Sequence, residues 1–226
     1  MINEILFIII LLVAFLVTLI SLKLGKEWLI ALPAVFLIIA NIFIAQFSSF
    51  FGITTSLAVP IYASIFLVIN LIVEHYGKKE AYKAVWIAFL GQLSLVALSQ
   101  LIIAGNALEG SQRLNEALTT IFSLTPRIVI ASLIAYIASQ HIDVSIYHKL
   151  KTKFKNKHIW LRNNVSVISA QLIDTIIFSL LAFIGILTNL LEFILVYFII
   201  KAVIAALSTP IIYLSYKVLG KKIPAR

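Results

Sequence analysis

The chain has 226 residues, 62% of them hydrophobic and 12% charged, with a mean hydropathy of +1.09 and no cysteine. Soluble domains are about 45 to 50% apolar and about 25% charged, so a soluble globular fold is excluded and an integral membrane protein is expected. Without cysteine there is no disulfide framework, thiolate metal site or cysteine nucleophile, and the formal net charge of +9 has to be read from where the charges stand.

The first apolar block, about 5–22, has no basic region before it and carries Glu4, so it reads as a retained helix and not as a cleaved leader. Between Glu27 and Glu74 lie 46 residues without a formal charge, and about 20 suffice to cross the bilayer. That run holds two spans, about 28–48 and 57–74, with the turn expected between Ser48 and Thr55 around Gly52. Further spans are predicted at about 84–104, 126–147, 164–187 and 192–216. The expectation is an all-α bundle of six to seven transmembrane helices in one domain over 1–226, with membrane strands excluded because the runs are continuously apolar. Pro60 and Pro126 fall near helix starts, while Pro210 lies deep in the last span and should bend it. The longest loop on the sparsely charged side, Gly105 to Thr125, contains LNEALTTIF, which reads either as a surface helix or as a lid.

Of the 18 Lys and Arg, fifteen fall in one alternating set of connections and in the tail: Lys23, Lys26, Lys78, Lys79, Lys83, Lys149, Lys151, Lys153, Lys155, Lys157, Arg162, Lys217, Lys221, Lys222 and Arg226. The other set holds Arg113 and Arg127, and Lys201 falls inside a span. This asymmetry places the amino terminus outside and the carboxyl terminus in the cytoplasm of a prokaryotic inner membrane. The basic charge thereby orients the chain, and nucleic acid is not expected as a partner. Trp28, Trp86 and Trp160 lie near predicted boundaries and read as interfacial anchors.

Charged and polar groups at membrane depth are expensive, which makes Asp174 and Lys201 the chief functional candidates. Counted from the outer helix ends they lie roughly 19 and 15 Å deep, so an ion pair between them is one reading. Asn41, Gln46, Asn70, Gln92, Gln100, Gln140 and Gln171 are neutral companions, and Glu74, His75, Arg127, Asp143 and Glu192 sit nearer the interfaces. At 100° per residue Ser132, Tyr136, Ser139, Gln140, Asp143 and Tyr147 share one face of the fifth span. Asn164, Val167, Gln171, Asp174, Thr175 and Phe178 share one face of the sixth. Gln140 with Asp143, and Gln171 with Asp174, put an amide and a carboxylate one turn apart, a pair suited to a planar amide-like edge. Such stripes also glue helices together, so packing is the competing reading. The histidines lack ligand spacing, and no nucleophile elbow, phosphate loop or dinucleotide fingerprint occurs; neither metal, cofactor nor enzymatic activity is expected.

The blocks PIYASIFLVINLIVEHYGKKEAYKAVWIAF, PRIVIASLIAYIASQHIDVSIYHKLK and WLRNNVSVISAQLIDTIIFSLLAFIG resemble the queuosine precursor transporter family, also called the vitamin uptake transporter family. The resemblance covers about residues 35–215 and rests on Glu74 with Tyr76-Gly77, Arg127, Ala131-Ser132, Tyr136, Gln140, Asp143, Trp160, Gln171, Asp174-Thr175 and Phe178. Asn70 stands where members often have Asp, and the segment Asn41 to Phe50 matches loosely. The resemblance implies an importer of 7-cyano-7-deazaguanine, 7-aminomethyl-7-deazaguanine or queuine, with a fold similar to the substrate-binding subunits of energy-coupling-factor transporters. On that basis Asp174 is expected to take the donor edge of the deazapurine, Gln171 and Gln140 to supply amide contacts, Tyr136 and Phe178 to flank the ring, and Asp143 or Glu74 to meet an aminomethyl cation. Asn70, Arg127 and Lys201 complete the candidate substrate-binding set. A substrate-capture subunit serving a separate ATPase and a non-transporting scaffold are the alternatives, and a homodimer is left open beside a monomer.

Overall fold

In a computed structural model, which describes residues 2–44, 46–122, 126–186 and 189–223, the chain is built from helices α1 (Ile2–Leu24), α2 (Lys26–Phe43), α3 (Val59–His75), α4 (Lys78–Ile103), α5 (Gln112–Phe122), α6 (Pro126–Lys153), α7 (Ile159–Phe183) and α8 (Leu190–Val218). The predicted limits at Leu187 and Thr125, the tail's Arg226 and the side chains of Glu109 and Pro126 lie outside what is described. Six of the helices are long and apolar enough to cross a membrane. Their apolar side chains also point outward: Leu12 is 59% and Leu16 57% exposed on α1. An apolar belt of this kind is stable against lipid and not against water.

The third predicted span, α3, is only 17 residues long, or about 26 Å of helix. Fourteen of those residues are buried, so α3 is the axis of the bundle and not a peripheral segment. It packs against α1, α2, α4, α6, α7 and α8. Helices as apolar as this gain nothing from leaving lipid for each other, so their association rests on close packing and on polar groups between them. Small residues serve the first need: Ala81, Ala84 and Ala88 of α4, Ala131 and Ala135 of α6, and Ala170 of α7 are all buried.

The expected turn after α2 is a two-stranded antiparallel hairpin, β1 (Phe47–Phe50) and β2 (Ile53–Ser56), with Phe50 opposite Ile53. Strands thus occur, although none spans the membrane. Phe51 and Gly52 both have positive φ, 48° and 79°, as a tight hairpin turn demands. The hairpin is tied to the start of α1, where Asn3 Nδ2 donates to the Ser49 carbonyl (3.0 Å) and Phe51 N–H donates to Glu4 Oε1 (3.1 Å). The segment LNEALTTIF is helical, within α5, and Gln100 Nε2 donates to the Phe122 carbonyl (2.7 Å), which fastens the end of α5 to α4. Pro60 sits in the first turn of α3 as expected, and Pro210 lies inside α8 without interrupting it.

The junctions α1–α2, α3–α4 and α6–α7 and the segment after α8 share one end of the bundle, where Lys26 Nζ lies 3.5 Å from Glu80 Oε2. This is the lysine-rich end, and the hairpin lies at the other.

Candidate substrate-binding site

The polar residues between the helices form three tiers, each supplied by α3, α6 and α7. Spacings of four or eight residues along a helix return a side chain to the same face, so repeated tiers follow from the sequence positions of these groups.

The tier nearest the hairpin is centred on Asp174. Tyr62 Oη of α3 donates to Asp174 Oδ1 (2.7 Å), as does Ser139 Oγ of α6 (3.2 Å). Lys201 of α8 donates from Nζ to Asp174 Oδ2 (2.7 Å) and lies 3.4 Å from Thr175 Oγ1. The Lys201 ammonium also stands 5.0 Å from the centre of the Tyr62 ring, a favourable cation–π distance. Asp174 and Lys201 are 2% and 7% exposed, so this ion pair is held almost entirely away from solvent. A desolvated pair of this kind is retained only where hydrogen bonds support the charge, as those of Tyr62 and Ser139 to Oδ1 do here.

The middle tier joins Asn70 of α3, Asp143 of α6 and Ser166 and Asn163 of α7. Asn70 Nδ2 donates to Asn163 Oδ1 (3.1 Å) and Ser166 Oγ (3.2 Å). Asn163 Nδ2 in turn reaches Ser208 Oγ of α8 (3.1 Å). Asp143 is wholly buried beside Ser166 and Asn70.

The tier at the lysine-rich end closes the bundle. Arg162 Nη1 and Nη2 of α7 donate to Glu74 Oε2 (2.8 Å) and Oε1 (3.1 Å) of α3, a fork matched to the planar carboxylate. Tyr147 Oη of α6 donates to Glu74 Oε2 (3.1 Å), Tyr216 Oη of α8 donates to Glu74 Oε1, and Lys151 Nζ lies 3.5 Å from Glu74 Oε2. Glu74 is therefore the centre of a buried network and not a solvated interface residue.

Beside the first tier is a cavity of about 90 Å³. It is bounded by all the long helices except α1 and lies in the half of the bundle toward the hairpin. Asp174, Lys201, Tyr62, Gln92, Asn41 and Ser132 give it polar character, while Phe178 and Tyr197 supply flat apolar walls. Few polar groups on an apolar lining is the usual make-up of a small-molecule site. Gln92 is 5% exposed and its Oε1 has no hydrogen-bond partner among the described residues, so an acceptor is left over in the wall.

Of the sequence candidates, the structure brings Asp174, Lys201 and Phe178 to this cavity. It does not bring the others there. Gln140 and Gln171 are wholly buried away from the lining, and their side-chain amides have no hydrogen-bond partner among the described residues; Gln171 is thus separated from Asp174, while Gln140 and Asp143 both lie off the cavity. Tyr136 points its hydroxyl toward the Val85 carbonyl of α4 (3.5 Å) and does not flank the cavity. Asn70 and Asp143 belong to the middle tier and Glu74 to the closed end. Arg127 donates from Nε and Nη2 to the Leu181 and Ile184 carbonyls (both 2.7 Å), clamping the start of α6 to the end of α7. Sequence reasoning passed over Tyr62, which lies in an unbroken apolar block, and Arg162, whose charge was taken up in the topology count. Gln92, Asn41 and Ser132 carried a signal, as polar residues at membrane depth, but nothing in the sequence tied them to Asp174.

The sequence profile described as "Putative vitamin uptake transporter" matches residues 56–215. A "Probable queuosine precursor transporter" of Bacillus subtilis is 34% identical over 183 residues, which is 80% of this chain and 80% of that protein. Another of the same description, from Haemophilus influenzae, is 26% identical over 119 residues, 53% of this chain and 48% of its own length. No solved structure matches at a significant level. The profile match contains the three polar tiers apart from Tyr216, and the chain belongs to the vitamin uptake transporter family.

Proposed function

We propose that the protein imports a 7-deazaguanine precursor of queuosine across the cytoplasmic membrane and that the base binds in the cavity beside Asp174 and Lys201. The observation that carries this reading is a desolvated ion pair at the wall of a flat-sided cavity, in a chain whose curated relatives are described as queuosine precursor transporters. A deazaguanine offers adjacent N–H donors on its pyrimidine edge and a carbonyl acceptor next to them. Asp174 and the unpartnered Oε1 of Gln92 accept from the donors, the remaining N–H of Lys201 donates to the carbonyl, and Phe178 and Tyr197 enclose the ring.

The positive-inside asymmetry sets the lysine-rich end in the cytoplasm and the amino terminus outside. The cavity then lies in the outer half and the Glu74–Arg162 tier seals the inner side, an arrangement that receives substrate from outside. Release requires that seal to part while the outer side closes, as in alternating access. Uptake of labelled 7-cyano-7-deazaguanine by cells expressing the protein tests the reading. Uptake at least tenfold above cells with an empty vector is expected; uptake no greater than the empty vector contradicts it.

A further inference from the structure

Three carboxylates are buried among the described residues, and two of them have a cation: Asp174 has Lys201, and Glu74 has Arg162 and Lys151. The third, Asp143, is wholly buried, forms no ion pair among the described residues, and has only neutral side chains close enough to act as donors. The groups that face it are neutral: Asn70 from α3 and Ser166 from α7. No charged partner from α4 or another helix acts on it among the described residues. Glu74 and Arg162 stand one helical turn beyond Asn70 on α3 and Ser166 on α7, and pair with each other.

The surroundings are rich in unused oxygen. Asn70 Oδ1 is buried without a partner among the described residues, its amide N–H groups being given to Asn163 and Ser166. One turn along α6, both side-chain amide atoms of Gln140 are likewise unpartnered. A lone carboxylate in an apolar interior costs several kcal/mol, and unsatisfied oxygens around it add to that cost; a bound cation removes both penalties. The position is also informative. Asp143 follows Ser139, which touches Asp174, by one turn, and precedes Tyr147, which touches Glu74, by one turn. A cation at Asp143 therefore sits between the substrate cavity and the seal at the other end.

We propose that Asp143, with oxygens of Asn70 and Gln140, binds a monovalent cation, a proton or a sodium ion, and that this cation crosses with the substrate. The coupling half of the proposal rests on the importer reading above; the binding half does not.

The test uses the full-length protein and Asp143→Asn, which keeps the shape and removes the charge. Without substrate, one of two signatures is expected in the wild type and lost in Asp143→Asn: a protonated-carboxyl band in the infrared, or a melting temperature raised by about 5 °C or more when sodium at a hundredfold its dissociation constant replaces choline. The band assigns the proton and the salt effect assigns sodium. In proteoliposomes, an inward gradient of that same ion should accelerate wild-type uptake of 7-cyano-7-deazaguanine about tenfold, and Asp143→Asn should respond less than twofold. Absence of both signatures in the wild type, their persistence in Asp143→Asn, or an unaltered gradient response in the variant overturns the proposal. A signature that depends on Asp143 in a protein that moves no deazaguanine overturns the importer reading and leaves the cation site standing.

Discussion

Lys201 Nζ lies 2.7 Å from Asp174 Oδ2, joining α8 to α7 at the point where both helices border the cavity. Removing one member strands the other as an uncompensated buried charge, which costs about 3 to 5 kcal/mol. Asp174→Asn should therefore lower both stability and base binding, and the two effects need separating. The double variant Asp174→Asn with Lys201→Met has no stranded charge, so its melting temperature should recover most of the loss. Its affinity for 7-cyano-7-deazaguanine should stay at least a hundredfold below wild type, as read by calorimetric titration. Recovery of affinity along with stability would make the pair structural only.

At the lysine-rich end, position predicts an ordering of effects. Arg162 is fully buried and grips both Glu74 oxygens, whereas the Lys151 side chain is 20% exposed and stands 3.5 Å away. Arg162→Met should destabilise the protein by about 3 to 5 kcal/mol, and Lys151→Met by about 1 kcal/mol or less. Thermal unfolding in detergent checks the order; equal losses would show that the fork is not what holds α3 to α7.

The three glutamines between helices should separate by role. Gln92 lines the cavity, while Gln140 and Gln171 do not. Gln92→Leu takes away an acceptor facing the cavity and should weaken base binding about 5- to 30-fold, the effect of about 1 to 2 kcal/mol. Gln171→Leu replaces an amide that has no hydrogen-bond partner, so it should leave binding within about threefold and stability equal or higher. Titrations of both variants against the same base decide this; the reverse ranking would move the site toward the middle tier.

The helices were legible because charge clusters near their ends and the long runs between are overwhelmingly apolar. Ser132, Ser139, Asp143 and Tyr147 were legible as one stripe, because helical periodicity alone puts them on a common face, and the three tiers use that stripe. The hairpin was not legible: FSSFFGITTS carries no charge and continues the apolar run of α2, so only Gly52 marked the turn. Nor was the allotment of polar groups to cavity, middle tier and seal. Gln171 and Asp174 share a face of α7, yet the carboxylate meets Tyr62 and Lys201 at open space while the amide is packed away. That difference depends on which neighbour each turn of α7 meets, and α3 supplies Tyr62 from a stretch that carries no charge before Glu74. Arg162 shows the same limit, since a cation near a helix end reads as topology until Glu74 is found across from it.

The account stands on the cavity beside Asp174 and Lys201 being the seat of a deazaguanine. The most direct measurement is the melting temperature of the purified wild-type protein against 7-cyano-7-deazaguanine, 7-aminomethyl-7-deazaguanine, queuine, guanine and common vitamins, repeated with the Asp174→Asn, Lys201→Met variant. A ligand that binds only the folded state at a hundredfold its dissociation constant contributes about 2.7 kcal/mol, or roughly 5 to 10 °C for a chain of this size. The expected result is a shift of that order with at least one deazaguanine and none with the vitamins, abolished in the double variant. A deazaguanine shift that survives in the double variant, or stabilisation by a vitamin and by no deazaguanine, would contradict the account.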